Sequence, residues 1–375
     1  MTKKLRIAIA TGGRFHVLDL ARELSSLGHD VTFYAALNAR RVEKFGLPKT
    51  FLISFLFFLF PFLILERLSK GKIRSKVQYY QNVVLDFLIA QRLKNCDIFI
   101  GMSGLCVQSS SVARKKFGAK IIIERGSQHI LAQAQILANI NAKEQPSTEA
   151  INREILSYNQ ADFISIPSSH VEKSFQSFGF ERQQLFKNPY GVNIQSFKPN
   201  SQQMTQTGKL TAIFVGRWGL RKGCDLVKKV VQETNITLHQ VGPIDDFPFP
   251  DKNGFHRFGS VDQTMLPRFY HKADFLILLS REEGLALVQA QALACGLPIL
   301  CSQYSGGSDL KGMIECPQAI IEVDIHQMHS MINGIKKMHD VCANLTGKDL
   351  LGEKGRKNLS WASYGKRYSN FLINL

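Results

Sequence analysis

The segment Leu5–Gly13, LRIAIATGG, decides the start of the fold. Its short apolar run predicts a buried strand, and the two glycines that follow Thr11 predict a tight turn. Apolar residues at helical spacing then occupy 15–27, Gly28 ends that helix, and a second apolar run follows at Val31–Ala36. A strand, a glycine turn, a helix and a strand in this order predict the first unit of a doubly wound parallel sheet.

The alternation of strand and helix continues along the chain and begins again after the polar stretch 200–208, NSQQMTQTG, which we expect to be a linker. Further strands are predicted at Asp97–Gly101, Lys120–Glu124, Phe163–Ile166, Leu210–Gly216, Thr237–Val241, Phe255–Phe258, Phe275–Leu279 and Pro298–Cys301. We therefore predict an α/β protein with two Rossmann-like doubly wound domains, 1–199 and 200–360, that face a central cleft. Ligands of such sheets bind beyond the carboxyl ends of the strands, which would line that cleft.

One apolar stretch, Phe51–Leu65, breaks this pattern. It reads FLISFLFFLFPFLIL, with six phenylalanines, no charge and an internal proline, and it is too short to span a bilayer. The basic residues that follow it are Arg67, Lys70, Lys72, Arg74 and Lys76. An aromatic apolar segment beside a cationic cluster favours a helix that lies in the interface of an anionic membrane. The alternative is a buried helix of the first domain with a solvated basic face behind it.

The net charge of +17 is concentrated in the first half of the chain, since residues 1–200 hold 27 Lys and Arg against 14 Asp and Glu. Such a surface needs an anionic partner, either nucleic acid or anionic lipid. No helix-turn-helix, RNP or zinc pattern is present, so we expect no nucleic-acid partner. The seven cysteines form no CxxC pair, which argues against a zinc site and a secreted disulfide framework. The N-terminus has no long apolar run, which predicts a cytoplasmic protein without a signal peptide.

The segment with the clearest chemistry is Ser280–Leu310, SREEGLALVQAQALACGLPILCSQYSGGSDL. A predicted strand ends at Ser280, and a turn with Glu283 and Gly284 leads into a helix whose N-terminus offers free backbone N–H groups to an anion. Gly284 lets a phosphate approach the backbone closely. Glu283 and Gln291 are two helical turns apart, so both can project into one end of the cleft and bond sugar and ribose hydroxyls.

This segment resembles the signature of the retaining GT-B glycosyltransferases of family four, the glycosyl transferases group 1. In that family two Glu residues, separated by seven others, stand inside an EGFG…EAMACGxPV pattern. Glu283 matches the first Glu, Gly284 and the run 294–298 match their neighbours, and Gln291 stands in place of the second Glu. The resemblance implies that Glu283 holds the donor sugar and that Gln291 holds the ribose, for which an amide can still accept and donate.

A second site follows the predicted strand Leu210–Gly216 in the loop Gly216–Gly223, GRWGLRKG. An Arg and a Lys on one loop can clamp a diphosphate and stabilise a leaving nucleoside diphosphate without a metal. In the family this loop reads GR…KG, and Arg217 and Lys222 fall on those positions. Each cation alone would be an ordinary solvated loop residue, but their order and spacing relative to Glu283 favour the functional interpretation.

Weaker matches follow the order of the family. The turn at Gly12 and Gly13 resembles its N-terminal glycine loop, residues 305–307 resemble a loop that contacts donor phosphate or sugar, and residues 361–375 imply a last helix that crosses back to the first domain. The donor-binding residues that we expect are Gly12, Gly13, Gly216, Gly284, Leu285, Gln291, Gly306 and Gly307.

The family often places a catalytic His just after a strand of the first domain. Here the strand Lys120–Glu124 runs into Arg125 and then into His129, which is displaced from the usual place. His129 is therefore the catalytic candidate, with Arg125 and His16 as alternatives. The competing interpretation of a lone His is an ordinary surface or capping residue.

We expect an enzyme that transfers a hexosyl unit from a nucleoside diphosphate sugar to a hydroxyl with retained anomeric configuration, with Glu283, Arg217, Lys222 and His129 as catalytic residues. The acceptor is expected to be a lipid-linked or cell-surface glycan precursor, reached from the inner face of an anionic membrane. No cofactor or metal is expected, because no HxE, DxD or clustered carboxylate motif suggests a metal site. The alternatives are a non-catalytic nucleotide-sugar or membrane-binding module and an epimerase of the same fold, which the cation and Glu283 pattern disfavours.

Overall fold

The structure is a computed structural model that describes residues 3–143, 145–200 and 209–375. Within these residues the chain forms two parallel β-sheets with flanking helices, so the predicted α/β class with two doubly wound sheets is confirmed. The linker predicted at 200–208 lies, apart from Asn200, outside the described residues.

The first sheet is built from the N-terminal half of the chain. Its strands are β1 (Arg6–Thr11), β2 (Asp30–Ala35), β3 (Leu52–Ser54), β4 (Ile98–Met102), β5 (Lys120–Glu124), β6 (Phe163–Ile166) and β7 (Leu185–Lys187). They lie in the order β3-β2-β1-β4-β5-β6-β7 and are all parallel. Nearly every residue of β1, β4 and β5 is buried, as is typical of strands covered on both faces.

Eight helices accompany this sheet in the described part of the chain. They are α1 (His16–Ser26), α2 (Ala39–Lys44), α3 (Leu56–Leu68), α4 (Gly71–Arg92), α5 (Gln108–Phe117), α6 (Ile130–Asn139), α7 (Thr148–Asn159) and α8 (Ser169–Gln176). Helix α4, with 22 residues, is the longest of these eight.

The second sheet follows the same plan. Its strands are β8 (Thr211–Val215), β9 (Thr237–Val241), β10 (Phe255–Arg257), β11 (Phe275–Leu278), β12 (Ile299–Ser302) and β13 (Ile320–Val323), in the parallel order β10-β9-β8-β11-β12-β13. The helices of this part are α9 (Cys224–Thr234), α10 (Leu266–Tyr270), α11 (Leu287–Ala294), α12 (Gly307–Lys311), α13 (Met328–Leu345), α14 (Gly352–Leu359) and α15 (Trp361–Ile373).

Each sheet has one point at which its winding reverses. Strand β1 lies between β2 and β4, and strand β8 lies between β9 and β11. The connections on the two sides of such a strand run in opposite directions, which leaves a crevice beyond its carboxyl end. The loop after β1 contains Gly12 and Gly13, and the loop after β8 contains Gly216–Gly223. Both expected ligand loops therefore occupy reversal points.

The structure contains three strands that the sequence pattern does not predict. Strands β3 and β7 have three residues each, β13 has four, and all three lie at the edge of a sheet. An alternation of apolar and polar residues is not recognisable over so short a run. Pairing with the neighbouring strand, rather than local pattern, defines them.

The apolar stretch Phe51–Leu65 forms the edge strand β3 and most of helix α3. Helix α3 packs against α4 through a narrow face on which Leu59 is buried, whereas Phe57, Phe58 and Phe60 are 86, 42 and 59% exposed. The alternative of a buried core helix is therefore wrong, because most of its apolar side chains face solvent. Within the described residues, no helix combines the length and apolar character that crossing a bilayer requires.

The last helix, α15, returns to the first sheet and packs against α1. The Arg367 guanidinium donates to Oδ1 of Asn188 and to the carbonyl oxygen of Pro189, both at 2.7 Å. The Tyr368 hydroxyl donates to Oε1 of Glu124 at 2.5 Å. Helix α15 is thus attached through Arg367 to Asn188 and Pro189, which lie near the end of the first domain.

Candidate active site

The loop after β8 presents its two expected clamp cations differently. Arg217 is exposed at the wall of the cleft, and its Nε lies 3.8 Å from Oδ2 of Asp245. Lys222 is largely buried, and its Nζ forms an ion pair with Oε2 of Glu283. The structure therefore brings together Lys222 and Glu283, which the sequence places 61 residues apart in two separate motifs.

The pair depends on a close approach of two loops. Gly223 has φ +68°, and a Cβ added there would overlap the carbonyl oxygen of Leu279, so only glycine fits. Burial and the neighbouring Arg221 guanidinium lower the pKa of Lys222 to about 7, while the Glu282 carboxylate opposes them. The Glu283 carboxylate beside it also favours the charged form. Lys222 is thus a buried cation whose charge relies on an anion next to it, whether Glu283 or a ligand.

Glu282, the residue before Glu283, joins the two domains. Its side chain is fully buried and accepts hydrogen bonds from the Ser127 hydroxyl, from Nε2 of Gln133 at 3.0 Å and from Nε of Arg221 at 2.7 Å. Burial alone would raise the pKa of this carboxyl, but the Arg221 guanidinium and the Ser127 hydroxyl bring it down to about 2. Glu282 is therefore an anion that ties the second-domain loop to the first domain.

The turn at Gly284 contacts the first domain directly. The Ser168 hydroxyl donates to the carbonyl oxygen of Gly284 at 2.9 Å, and Nε2 of His170 lies 2.7 Å from the carbonyl oxygen of Glu283. Since a carbonyl oxygen only accepts, Nε2 of His170 carries the proton; burial lowers the pKa of His170 to about 4. A Cβ added at Gly284 would overlap the carbonyl oxygen of Gly126. The two domains meet here backbone against backbone.

Four further residues that we expect to bind the donor lie in the second domain. Leu285 is buried, and a Cβ added at Gly306 would lie 2.7 Å from Cδ1 of Leu285 and 3.2 Å from the carbonyl oxygen of Gly284, so these three residues lie together. Gly307 is buried at the start of α12. Gln291 is buried on α11, where its Oε1 accepts a hydrogen bond from the Tyr270 hydroxyl at 3.1 Å.

The glycines at the ends of β1 and β8 lie at the reversal points. Gly12 and Gly13 are partly exposed, and the position of a Cβ on Gly12 is 3.8 Å from Oδ1 of Asn82 on α4. Gly216 follows β8 with φ +141°.

His129 does not face the cleft. It is 4% exposed, its Nδ1 accepts a hydrogen bond from the backbone N–H of Leu131 as the N-cap of α6, and its ring stacks on Phe178 with centroids 4.2 Å apart. Burial and, to a smaller extent, the nearby Arg125 guanidinium together lower its pKa to about 4. The capping interpretation therefore replaces the catalytic one for His129.

The two alternatives to His129 are also committed to internal contacts. Nη1 of Arg125 lies 2.6 Å from Oε1 of Glu154, and its other nitrogens donate to the carbonyl oxygen of Gln128. His16 is buried, with Nε2 at 2.7 Å from Oε2 of Glu124. Neither side chain is placed as a free acid or base in the cleft.

A cavity of about 1280 Å³ lies between the domains. Arg217, Arg221, Ile244 and Asp245 line it from the second domain, and residues around the start of α4 and of α7 line it from the first. A smaller cavity of about 750 Å³ near Lys198 contains none of the expected site residues. Among the described residues, no group of three or more His, Cys, Asp or Glu side chains is placed to hold a metal ion.

Comparison with solved structures identifies the class of fold. Sucrose-phosphate synthase (tll1590) from Thermosynechococcus elongatus superimposes with a TM-score of 0.71 and 15% identity, covering 99% of both chains. Anabaena Alr3699/HepE in complex with UDP and glucose gives a TM-score of 0.68 and 12% identity, over 99% of this chain and all of the other. The chain has the two-domain GT-B fold of such glycosyltransferases.

Sequence comparison finds a family match within the second domain. Residues 209–332 match the family model described as Glycosyl transferases group 1. An "Uncharacterized 41.2 kDa protein in cps region" of Klebsiella pneumoniae is 25% identical over 150 residues, and the sulfoquinovosyl transferase SQD2 of Arabidopsis thaliana is 27% identical over 166. These matches cover 36 and 40% of this chain but only 42 and 32% of the two relatives.

Proposed function

We propose that this protein is a glycosyltransferase that moves a hexosyl unit from a nucleoside diphosphate sugar to a hydroxyl of a lipid-linked or cell-surface glycan acceptor, with retained anomeric configuration. The observation that carries the proposal is the contact between Lys222 and Glu283 at the reversal point of the second sheet. Both residues lie in the segment that matches the family model. A cation and a carboxylate side by side suit a ligand that carries both a diphosphate and sugar hydroxyls.

On the donor side, Arg217 and Lys222 would neutralise the diphosphate. Charge builds up on the bridging oxygen as the glycosidic bond breaks, so cations fixed beforehand stabilise the transition state more than the bound substrate. Because burial holds the pKa of Lys222 near 7, an incoming diphosphate favours its charged form. Glu283 would accept hydrogen bonds from hydroxyls of the sugar, while Gln291 lies further along α11.

The retaining course of the reaction is part of the proposal. The acceptor hydroxyl would attack from the face that the diphosphate leaves, with the diphosphate itself as the nearest base. Such a route needs no histidine in the first domain, which agrees with the buried positions of His129 and His16. Neither a metal nor a cofactor enters this route.

On the acceptor side, the exposed face of α3 supports contact with an anionic membrane from the cytoplasmic side. Phe57, Phe58 and Phe60 expose apolar area that water disfavours, and exposed Arg67 and Lys70 follow in the chain. Such a protein can act on a glycan carried by a lipid without a membrane-spanning helix of its own. We place the reaction in polysaccharide or lipopolysaccharide biosynthesis on this basis.

The proposal is tested by a thermal-shift screen of the purified protein with UDP-, GDP- and ADP-sugars, followed by an assay for release of the nucleoside diphosphate. A ligand at 100 times its dissociation constant stabilises the folded state by about 2.7 kcal/mol, which raises the melting temperature measurably. We expect one nucleotide series to stabilise the protein and to be turned over. Absence of both effects with all three series would refute the donor assignment.

A second candidate is a non-catalytic nucleotide-sugar or membrane-binding module. The observation that favours it is Gln291, which stands where the family has a Glu and whose Oε1 is already bonded to Tyr270. Such a module would be stabilised by a nucleotide sugar without turning it over. In the enzyme, Gln291→Glu should keep or improve donor binding and turnover, whereas in the module it would change binding alone.

A further inference from the structure

The central cavity carries more positive charge than one donor diphosphate requires. Its basic lining residues are Lys70, Arg74, Lys76, Lys143, Arg153, Arg217 and Arg221. Its acidic lining residues are Glu149, Glu154 and Asp245, so seven cations face three carboxylates. A nucleoside diphosphate sugar brings about two negative charges, which Arg217 and Lys222 of the second domain would neutralise, while Arg221 is paired with Glu282. The remaining charge lies on the first-domain wall.

Several cations of the cavity are already paired. Nη2 of Arg153 lies 2.5 Å from Oδ2 of the buried Asp86, and Nη2 of Arg74 lies 3.2 Å from Oε1 of Glu66. These two side chains are therefore held by the protein itself and offer less to a ligand.

Three lysines of the same wall are not held by ion pairs in this way. Lys70, Lys76 and Lys143 are exposed, and none has an ion-pair partner within 4 Å in the part of the chain that the structure describes. The anion identified near Lys76 is Glu149, whose pKa is lowered by the Ser147 hydroxyl and also by the charge of Lys76. Like charges gathered on one wall repel each other, and a bound anion relieves that repulsion. The wall is thus suited to a second anion that binds beside the donor.

The positions of the three lysines relative to α3 and to the second domain indicate what kind of molecule carries this anion. Lys70 is the N-cap of α4 and follows α3 directly after Ser69, so the cavity lining includes residues that come directly after the helix with the exposed apolar face. Lys143 approaches from the loop between α6 and α7, and its backbone N–H donates to Oδ2 of Asp246 in the second domain. The lysines therefore line a cavity wall that adjoins α3 in the chain and contacts the second domain at Lys143.

We propose that Lys70, Lys76 and Lys143 form a subsite for a phosphate group carried by the acceptor. This inference rests on the proposed function, because the subsite orients an acceptor only if a donor sugar binds opposite. The phosphate belongs either to the headgroup of an amphiphile whose apolar part lies along α3 or to a soluble sugar phosphate. Both sources present the same tetrahedral anion to the three ammonium groups.

The first experiment is a lysine footprint with inorganic phosphate as the probe. The protein with Arg217→Ala and Lys222→Ala, which lacks the donor clamp, is briefly acetylated in phosphate or in KCl of equal ionic strength, and each lysine is quantified by peptide mass spectrometry. We expect phosphate to protect Lys70, Lys76 and Lys143 severalfold along one saturation curve. The exposed lysines 336, 337 and 354 of the second domain serve as internal controls and should be labelled equally in both. Equal labelling of the three wall lysines would overturn the proposal.

The second experiment measures affinity with matched variants. Replacing Lys70, Lys76 and Lys143 by Ser should weaken phosphate binding, followed by phosphorus-31 NMR line width, about tenfold or more, because charge-assisted contacts are lost. Replacing Lys336, Lys337 and Lys354 by Ser changes the net charge equally and should leave binding unchanged. A wall variant that binds phosphate like the wild type contradicts the subsite. Because phosphate contains no sugar or base, this result is independent of whether a nucleotide sugar is bound or turned over.

The source of the phosphate is distinguished by vesicle flotation. If it is a lipid headgroup, inorganic phosphate should release the protein from phosphatidylglycerol vesicles more than KCl of equal ionic strength does. If it is a soluble sugar phosphate, the two salts should act alike while the footprint remains. Both results support the subsite, and a missing footprint refutes it whatever the vesicles show.

Discussion

The two walls of the cleft hold their lysines in opposite ways. On the second-domain side Lys222 is paired with Glu283, beside the pair of Arg221 and Glu282, so these two cations are fixed before any ligand arrives. On the first-domain side Lys70, Lys76 and Lys143 are exposed and have no ion-pair partner among the described residues. A fixed wall suits the reacting diphosphate, for which preorganisation lowers the barrier, and an open wall suits an acceptor of variable shape.

Glu283→Gln should produce the largest effect on activity. It removes the anion that holds Lys222, so donor turnover should fall about 100-fold, since interactions with charged groups contribute about 1.5–3 kcal/mol each. The fold should survive, because burial holds the pKa of Lys222 near 7 and the unpaired lysine can lose its proton. Release of nucleoside diphosphate and urea unfolding measure the two properties. Near-normal turnover in the folded variant would remove Glu283 from the site.

Glu282 should behave differently from its neighbour. Glu282→Ala leaves Ser127, Gln133 and Arg221 without their acceptor, so we expect a loss of about 2–3 kcal/mol in the free energy of unfolding. The figure is below that of a fully buried pair because Arg221 is 40% exposed. An unchanged unfolding midpoint would show that the contact between the domains does not depend on Glu282.

The pH dependence gives a second measurement on Glu282. Its folded-state pKa is lowered to about 2 from the ordinary value of 4.5, so its stabilising contribution is complete above about pH 4.5 and is lost as the pH falls toward 2. Glu282→Gln, which keeps the shape but cannot ionise, should show a smaller decline of stability over this window than the wild type. Equal declines would contradict the assignment.

Substitutions on helix α3 should distinguish its exposed face from its buried face. Replacing Phe57, Phe58 and Phe60 of α3 by Ser should leave the melting temperature nearly unchanged but abolish binding to phosphatidylglycerol vesicles at high salt, where the apolar contribution remains after charges are screened. Leu59→Ser is the matched control and should destabilise the domain by about 3 kcal/mol, because Leu59 is fully buried on the same helix. Wild-type protein that stays unbound at both low and high salt would disprove membrane contact.

Substitution of His129 should have the smallest effect on activity. His129→Asn keeps an N-cap acceptor for α6 but loses the ring that stacks on Phe178, so stability should fall by about 1–2 kcal/mol while turnover stays within about twofold. Steady-state turnover and thermal unfolding of the same preparation make the comparison. A tenfold loss of turnover in folded protein would return His129 to the catalytic residues.

The sequence predicts the parts of the molecule that are defined by contiguous residues. Strands β5, β6 and β9 have the predicted bounds, and β6 is an apolar run directly followed by Pro167. Arg217, Lys222 and Glu283 come from motifs of fixed spacing, and the structure places Lys222 against Glu283. The edge strands β3, β7 and β13 are missed because pairing defines them.

The rest depends on residues far apart in the chain. The bond between Gln133 and Glu282 joins positions 149 residues apart, and the surroundings of His129 come from Phe175, Phe178 and other aromatic residues of later elements. The local sequence pattern predicts neither the Gln133–Glu282 bond nor the aromatic surroundings of His129. His170, which meets the carbonyl oxygen of Glu283, is missed for the same reason, since its partner lies 113 residues later.

We propose that the loops after β8 and β11 bind the diphosphate of a nucleotide sugar. Phosphorus-31 NMR is the sharpest test, because the two phosphorus resonances of a UDP-, GDP- or ADP-sugar report the diphosphate itself. With wild-type protein both resonances of one nucleotide series should broaden saturably, and with Arg217→Ala and Lys222→Ala together the broadening should disappear while the protein stays folded. Equal broadening by the two proteins, or none with any series, would contradict the account.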